Sequence, residues 1–183
     1  MVAIDAPGHG ERISKEERVS QRENRQARVG AGNLWTPERL REMAERTTRA
    51  VGEWKATLDA VEKLDYVGQG PVGYWGVSMG TAIGVPFIAG EPRVKAAVLG
   101  LAGLRRGAAD FEKAARSITI PLIFSFQWDD EVASRETGLA LYDAFGSKEK
   151  SMHINPGPHM GIPPFEREHW EMFFVRHLGS AKA

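Results

Sequence analysis

Hydrophobic and polar positions divide the chain into two kinds of segment. Leu40, Met43, Thr47, Val51, Trp54, Leu58 and Val61 recur every three or four residues, which puts them on one face of a long helix. Thr36 is suited to cap that helix and Pro37 to open it, so Trp54 reads as a core residue. Elsewhere short apolar runs recur without helical spacing, at 2–5, 71–76, 94–101 and 121–126, and a further short strand is read at 150–154. Such runs, rich in branched and aromatic residues, predict strands, and those without alternation predict strands covered on both faces. The segments 78–89, 136–145 and 165–178 read as helices, with Gly146 and Gly179 closing the last two. Strands alternating with helices predict an α/β fold: a mostly parallel sheet in a three-layer α/β/α sandwich.

Composition narrows the partners rather than the fold. A chain of 183 residues suits one domain, 1–183, with a sizeable core. Its 24 basic and 24 acidic residues cancel to a formal net charge of zero, so no field favours nucleic acid or an anionic membrane. Basic residues cluster at 12–28, but Glu16, Glu17 and Glu23 are interleaved with them, which predicts a solvated loop or short helix. There is no cysteine, hence no disulfide and no thiol chemistry. No run approaches the roughly 18 to 20 apolar residues of a membrane helix. The first residues lack a signal-peptide pattern, and the cytoplasm is the expected location.

The candidate chemistry centres on Gly76-Val77-Ser78-Met79-Gly80, at the end of one strand and the start of a helix. A serine on so sharp a corner presents its hydroxyl and lies beside free helix N–H groups, of which that of Met79 is the expected oxyanion donor. The hydroxyl needs an imidazole to take its proton and a carboxylate to orient the imidazole. Asp129 and Asp130 follow the strand at 121–126, where open α/β sheets keep their chemistry, and either could be that carboxylate. His159 lies in a Gly/Pro-rich loop after the strand read at 150–154. His9 belongs to a turn, and His153, His169 and His177 read as structural or solvated. His153 and His159 share no helical face and no His-Glu-x-x-His pattern occurs, so no metal and no cofactor is expected. Arg105 and Arg106, after the run at 94–101, read as solvated surface and alternatively as binders of a substrate carboxylate.

With these residues the chain resembles the α/β-hydrolase superfamily, nearest its dienelactone-hydrolase-like and carboxylesterase branch. The resemblance is carried by 3–10, 51–59, 73–81, Gln127-Trp128-Asp129-Asp130 and Gly157-Pro158-His159-Met160-Gly161. Gln127 stands where the family commonly has glycine in Gly-x-x-Asp, which implies that Asp130 is the acid. The triad implied is Ser78, Asp130 and His159, with Met79 at the oxyanion hole. Leu104, Trp128 and Met160, together with Ile162, would then wall a pocket for a small or medium acyl group. The implied activity is hydrolysis of a small-molecule carboxylic ester. A thioesterase, acyltransferase or peptidase on the same triad, or a catalytically silent relative, are the alternatives. In the family, further strands and an oxyanion loop precede the segment matching 2–10. The resemblance therefore implies an N-terminally incomplete sheet whose exposed edges invite a homo-oligomer.

Overall fold

The structure, a computed structural model, describes residues 1–30, 36–67, 70–105 and 107–179. It forms two compact units, 1–61 and 62–183.

In the first unit, residues 2–5 form no strand, contrary to the pattern of the sequence. Asp5 instead finds its partners locally. The Asp5 carboxylate accepts from the Glu11 N–H at 2.7 Å, and the Asp5 carbonyl from Arg12 Nη1 at 3.0 Å. His9 N–H bonds the Ala6 carbonyl, closing a turn before a short 3₁₀ segment at Gly10–Arg12. The charged stretch that follows is helix α1, Lys15–Gly30, longer than expected. Ser14 starts it: its hydroxyl accepts from the Glu17 N–H at 3.1 Å while the Glu17 carboxylate accepts from the Ser14 N–H at 2.8 Å, a reciprocal capping box. Helix α2, Pro37–Val61, opens with the Thr36 hydroxyl accepting from Arg39 N–H, as the sequence suggested.

The second unit is built on a sheet of four parallel strands in the order β1 (Val72–Val77), β2 (Val94–Gly100), β3 (Leu122–Gln127) and β4 (Lys150–Asn155). Helix α3 (Met79–Ala89) links β1 to β2, α4 (Ala109–Ser117) links β2 to β3, α5 (Arg135–Ala144) links β3 to β4, and α6 (Phe165–Leu178) follows β4. The order advances one strand at a time, so right-handed crossovers put α3, α4 and α5 on one face. Side-chain alternation agrees. Tyr74 meets Phe87 of α3, whereas Trp75 meets Trp170 of α6, with ring centroids 5.7 Å apart in both pairs. On β3, Phe124 packs on Tyr142 and Phe145 at the α5 side, while Ser125 accepts a hydrogen bond from the Trp170 indole across the other face. The result is an α/β/α sandwich whose second face, within this unit, carries α6. There Val98, Ile123 and Trp170 form a buried cluster with Ile162, Phe173 and Phe174 against it.

Several glycines set close approaches, among them Gly84, Gly100 and Gly146. A Cβ on Gly100 would overlap the Ser125 carbonyl, one on Gly84 the Tyr74 ring, and one on Gly146 the Arg116 carbonyl. Gly146 thus matters for packing against the end of α4; the left-handed helix terminus is at Gly179, with φ 78°. Gly80, by contrast, faces open space at its Cβ position. Gly100→Ala should destabilise the fold by about 1–3 kcal/mol in urea unfolding, because backbone cannot yield as a side chain can. Gly80→Ala, in the first turn of α3 with room for a methyl, should leave stability unchanged or raise it by up to about 1 kcal/mol. Equal losses at both positions would contradict this steric account.

Candidate active site

Strand β1 ends at Val77, and Ser78 then takes φ 55° and ψ −110° before α3 begins. Such a conformation costs a non-glycine residue on the order of 1–3 kcal/mol and persists only where neighbours over-determine it. Here they do. The Ser78 N–H donates to the Gly100 carbonyl at 2.8 Å, and the Ser78 carbonyl accepts from the N–H groups of Thr81 and Ala82. The fully buried Thr81 hydroxyl lies 3.0 Å from the Gly76 carbonyl and 2.6 Å from that of Gly100, and accepts from the Gly100 N–H at 2.8 Å. The ends of β1 and β2 are thereby clamped on either side of the serine. Tyr74 supports the same corner from below, its hydroxyl donating to the Gly80 carbonyl at 2.7 Å; burial raises its pKa.

The structure brings three of the sequence-predicted residues into one hydrogen-bonded chain. His159 Nε2 lies 2.8 Å from Ser78 Oγ, and His159 Nδ1 lies 2.8 Å from Asp130 Oδ2. His159 is 1% exposed, and the Asp130 side chain is sealed from solvent. The other Asp130 oxygen accepts from the N–H groups of Val132 and Ala133, at 2.7 and 2.8 Å. Burial alone pushes the Asp130 carboxyl up. The bonds from His159, Ala133 and Val132, together with the nearby imidazole, outweigh it and hold the group below the ordinary carboxylate range.

Asp129 points elsewhere. Its N–H donates to the Gly157 carbonyl and its carboxylate accepts from the Gly157 N–H at 3.0 Å, tying the loop after β3 to the loop after β4. Gln127, at the position where a glycine would be commoner, is 1% exposed and donates from its amide to the Pro156 carbonyl at 3.4 Å, under the same turn. Two contributors escaped the sequence reading. Glu131 accepts from the His159 N–H at 2.9 Å, fixing the imidazole's backbone, and Thr81 holds the elbow as described. Both adjoin residues that the motifs pick out, but their roles rest on contacts 19 and 28 residues away in sequence.

The remaining predicted positions are more dispersed. Met79, 42% exposed, is the first residue of α3, where a helix N–H has no intrahelical acceptor. Trp128 is half exposed and stacks under the Arg135 guanidinium, 4.4 Å from its ring centroid. Leu104 is half-buried, its N–H donating to Thr137 in the first turn of α5. Met160 is 80% exposed, and Ile162 belongs to the cluster under α6. Arg105 is half-buried rather than solvated, and burial lowers its pKa to about 10. Arg106 lies outside the described residues. No described helix is long and apolar enough to cross a membrane.

No protein-family model and no curated protein matches the sequence. Solved structures do. A PEG-bound complex of a cold-adapted esterase from an Arctic intertidal metagenomic library is 32% identical over 95% of this chain and 68% of that one, with a TM-score of 0.74. A zinc-bound structure of a cold-adapted esterase from such a library is 36% identical over 72% of this chain, with a TM-score of 0.67; the chain spans 59% of that protein's length. An esterase of Pyrococcus furiosus, 14% identical with a TM-score of 0.59 over 72% of this chain and 63% of that one, shares the fold. Identity near one third sustained over 95% of the residues, on a parallel sheet of matching architecture, makes this chain a member of the α/β-hydrolase superfamily.

Proposed function

We propose that the protein is a serine hydrolase that cleaves small carboxylic esters through an acyl-enzyme. The observation that carries this reading is the 2.8 Å approach of His159 Nε2 to the hydroxyl of a serine held at positive φ. The similarity to esterases supports it independently. Ser78 Oγ attacks the carbonyl carbon while His159 Nε2 takes its proton, and Asp130 keeps the other ring nitrogen protonated and offsets the imidazolium charge. The Met79 N–H, at the head of α3, meets the oxyanion. Collapse of the tetrahedral intermediate expels the alcohol oxygen, which receives the proton from His159. Water, deprotonated by the same nitrogen, then attacks the acyl carbon and releases the acid and Ser78.

Assay of p-nitrophenyl esters, acyl-CoA thioesters and peptide amides tests the chemistry. Turnover should be greatest on short-chain esters. Ser78→Ala and His159→Ala should each lose about 10⁴-fold or more in kcat, with little further loss when combined, because the two act as one unit. Asp130→Asn should lose about 10³- to 10⁴-fold through the wrong imidazole tautomer. Asp129→Asn, which touches only the Gly157 amide, should keep turnover within about tenfold. Activity that survives Ser78→Ala would overturn the proposal, and preference for thioesters or amides would replace its substrate class.

The depressed Asp130 carboxyl also links stability to pH. Its ionised form is favoured by folding, so its contribution is complete above the unfolded value of about 4 and is lost as pH falls through the lower folded value. The stability difference between the parent and Asp130→Asn, read from urea unfolding, should be constant from pH 7 to pH 5 and shrink below about pH 4. A difference that already collapses between pH 6 and pH 5 would contradict that direction of shift.

A further inference from the structure

On the α6 side of the sheet, three side chains converge on a point that the proposed hydrolysis does not use. His153 of β4 places Nδ1 2.8 Å from Glu166 Oε2, and His169, one turn further along α6, places Nδ1 3.7 Å from the same oxygen. The two imidazoles meet edge to face with centroids 5.6 Å apart, and the three nearest ligand atoms all lie within 4.8 Å of one another. Glu166 is 3% exposed, and its second oxygen accepts from Asn155 Nδ2 at 2.9 Å, which leaves Oε2 as the oxygen turned toward the histidines. A buried carboxylate satisfied by Asn155 and His153 would need nothing more. His169 also rests edge-on against Phe165, with ring centroids 5.8 Å apart, and still turns its Nδ1 toward the same Glu166 oxygen as a third vertex.

We propose that His153, Glu166 and His169 form a zinc site joining β4 to the first turn of α6. Two imidazoles and one carboxylate, with no thiolate, suit zinc better than calcium or magnesium, which take all-oxygen shells. Around a tetrahedral zinc with bonds of about 2.0–2.2 Å, ligand atoms sit about 3.4 Å apart. The pair at 2.8 Å must open slightly, and the pair at 3.7 Å close slightly. His169 is about half exposed and has the freedom to do so, and water can take the fourth position from the open side. Asn155 supplies the outer hydrogen bond that fixes a ligating carboxylate. The sequence signal is Glu166-x-x-His169, a pair on one helical face. The site spans the base of the 156–164 loop that carries His159, so the metal would pin both ends of that loop. Metal binding and ester hydrolysis remain separable properties.

Isothermal titration of the full chain, stripped with EDTA, with zinc chloride tests the site. One zinc per chain should bind, His169→Gln and His153→Gln should each weaken binding at least about tenfold, and zinc should raise the melting temperature of the parent by several degrees but not that of the double variant. Cobalt(II) in place of zinc gives a readout that needs no variant: the intense visible absorption of a four-coordinate site. Absent heat, variants that titrate like the parent, or a weak six-coordinate cobalt spectrum would each overturn the proposal.

Discussion

The arrangement of the second unit depends on one backbone hydrogen bond, from the Ser78 N–H to the Gly100 carbonyl. A residue at φ 55° and ψ −110° relaxes unless something holds it, and this bond, with the Thr81 hydroxyl wedged between the Gly76 and Gly100 carbonyls, does so at full burial. Gly100 could not take part with a side chain, because its Cβ would fall on the Ser125 carbonyl of the next strand. The serine's position is therefore set by the spacing of β1, β2 and β3 together. Immediately beyond, Leu101 also takes a positive φ of 51° while its N–H bonds the Ser125 carbonyl, so the strain of the corner is shared between neighbouring strand ends.

The strand order then imposes a distance problem. β1 and β4 are three spacings apart, about 14 Å, yet Ser78 follows β1 and His159 follows β4. The imidazole reaches the serine because the 156–164 loop leans back over the sheet, and it does so along a built path. Gln127 and Asn155 are partners in the ladder, the Trp128 N–H bonds the Asn155 carbonyl, and Asp129 and Gly157 exchange two hydrogen bonds. Glu131 then takes the His159 N–H. Asp130 lies within this bridge, so the carboxylate and the loop that brings the imidazole to it are positioned by the same contacts.

How much of this the sequence disclosed follows from how local each cause is. β1, β2 and β3 are legible as apolar runs, β2 and β3 because a parallel strand buried on both faces must be apolar throughout, whereas the edge strand β4 is only partly buried and mixes Met152 and Ile154 with polar residues. α2 was legible from its period. α4 was not: Ala109–Ser117 is two turns long, and only Ala115 in it is buried. The charge pattern of α1 leaves a solvated loop and a short helix equally open, although Ser14-x-x-Glu17 carries the helix's capping signature. Residues 2–5 look like a strand by composition, but a strand exists only through its partner, and Asp5 finds its own in Glu11 and Arg12. Ser78, Asp130 and His159 could be singled out by type and order. The wall positions could not, since whether Trp128 or Met160 faces a pocket depends on loop geometry: Trp128 lies under Arg135, and Met160 points to solvent.

α6 has a part in this beyond covering apolar surface. Trp170 reaches through the face to the Ser125 hydroxyl, on the strand that leads to Asp130, and Glu166 holds Asn155, the residue from which the histidine loop departs. Glu166 lies in the first turn of the helix, where a carboxylate interacts favourably with the free N–H groups. Asn155 and His153 donate to it from β4, and burial, which raises its carboxyl, is outweighed by those bonds and the nearby imidazoles. Both ends of the 156–164 loop are therefore tied to one buried anion. A loop with fixed ends has less conformational freedom to lose when it presents His159 to the serine. The helix that closes the apolar face of the sheet thus also limits how far the imidazole can stray.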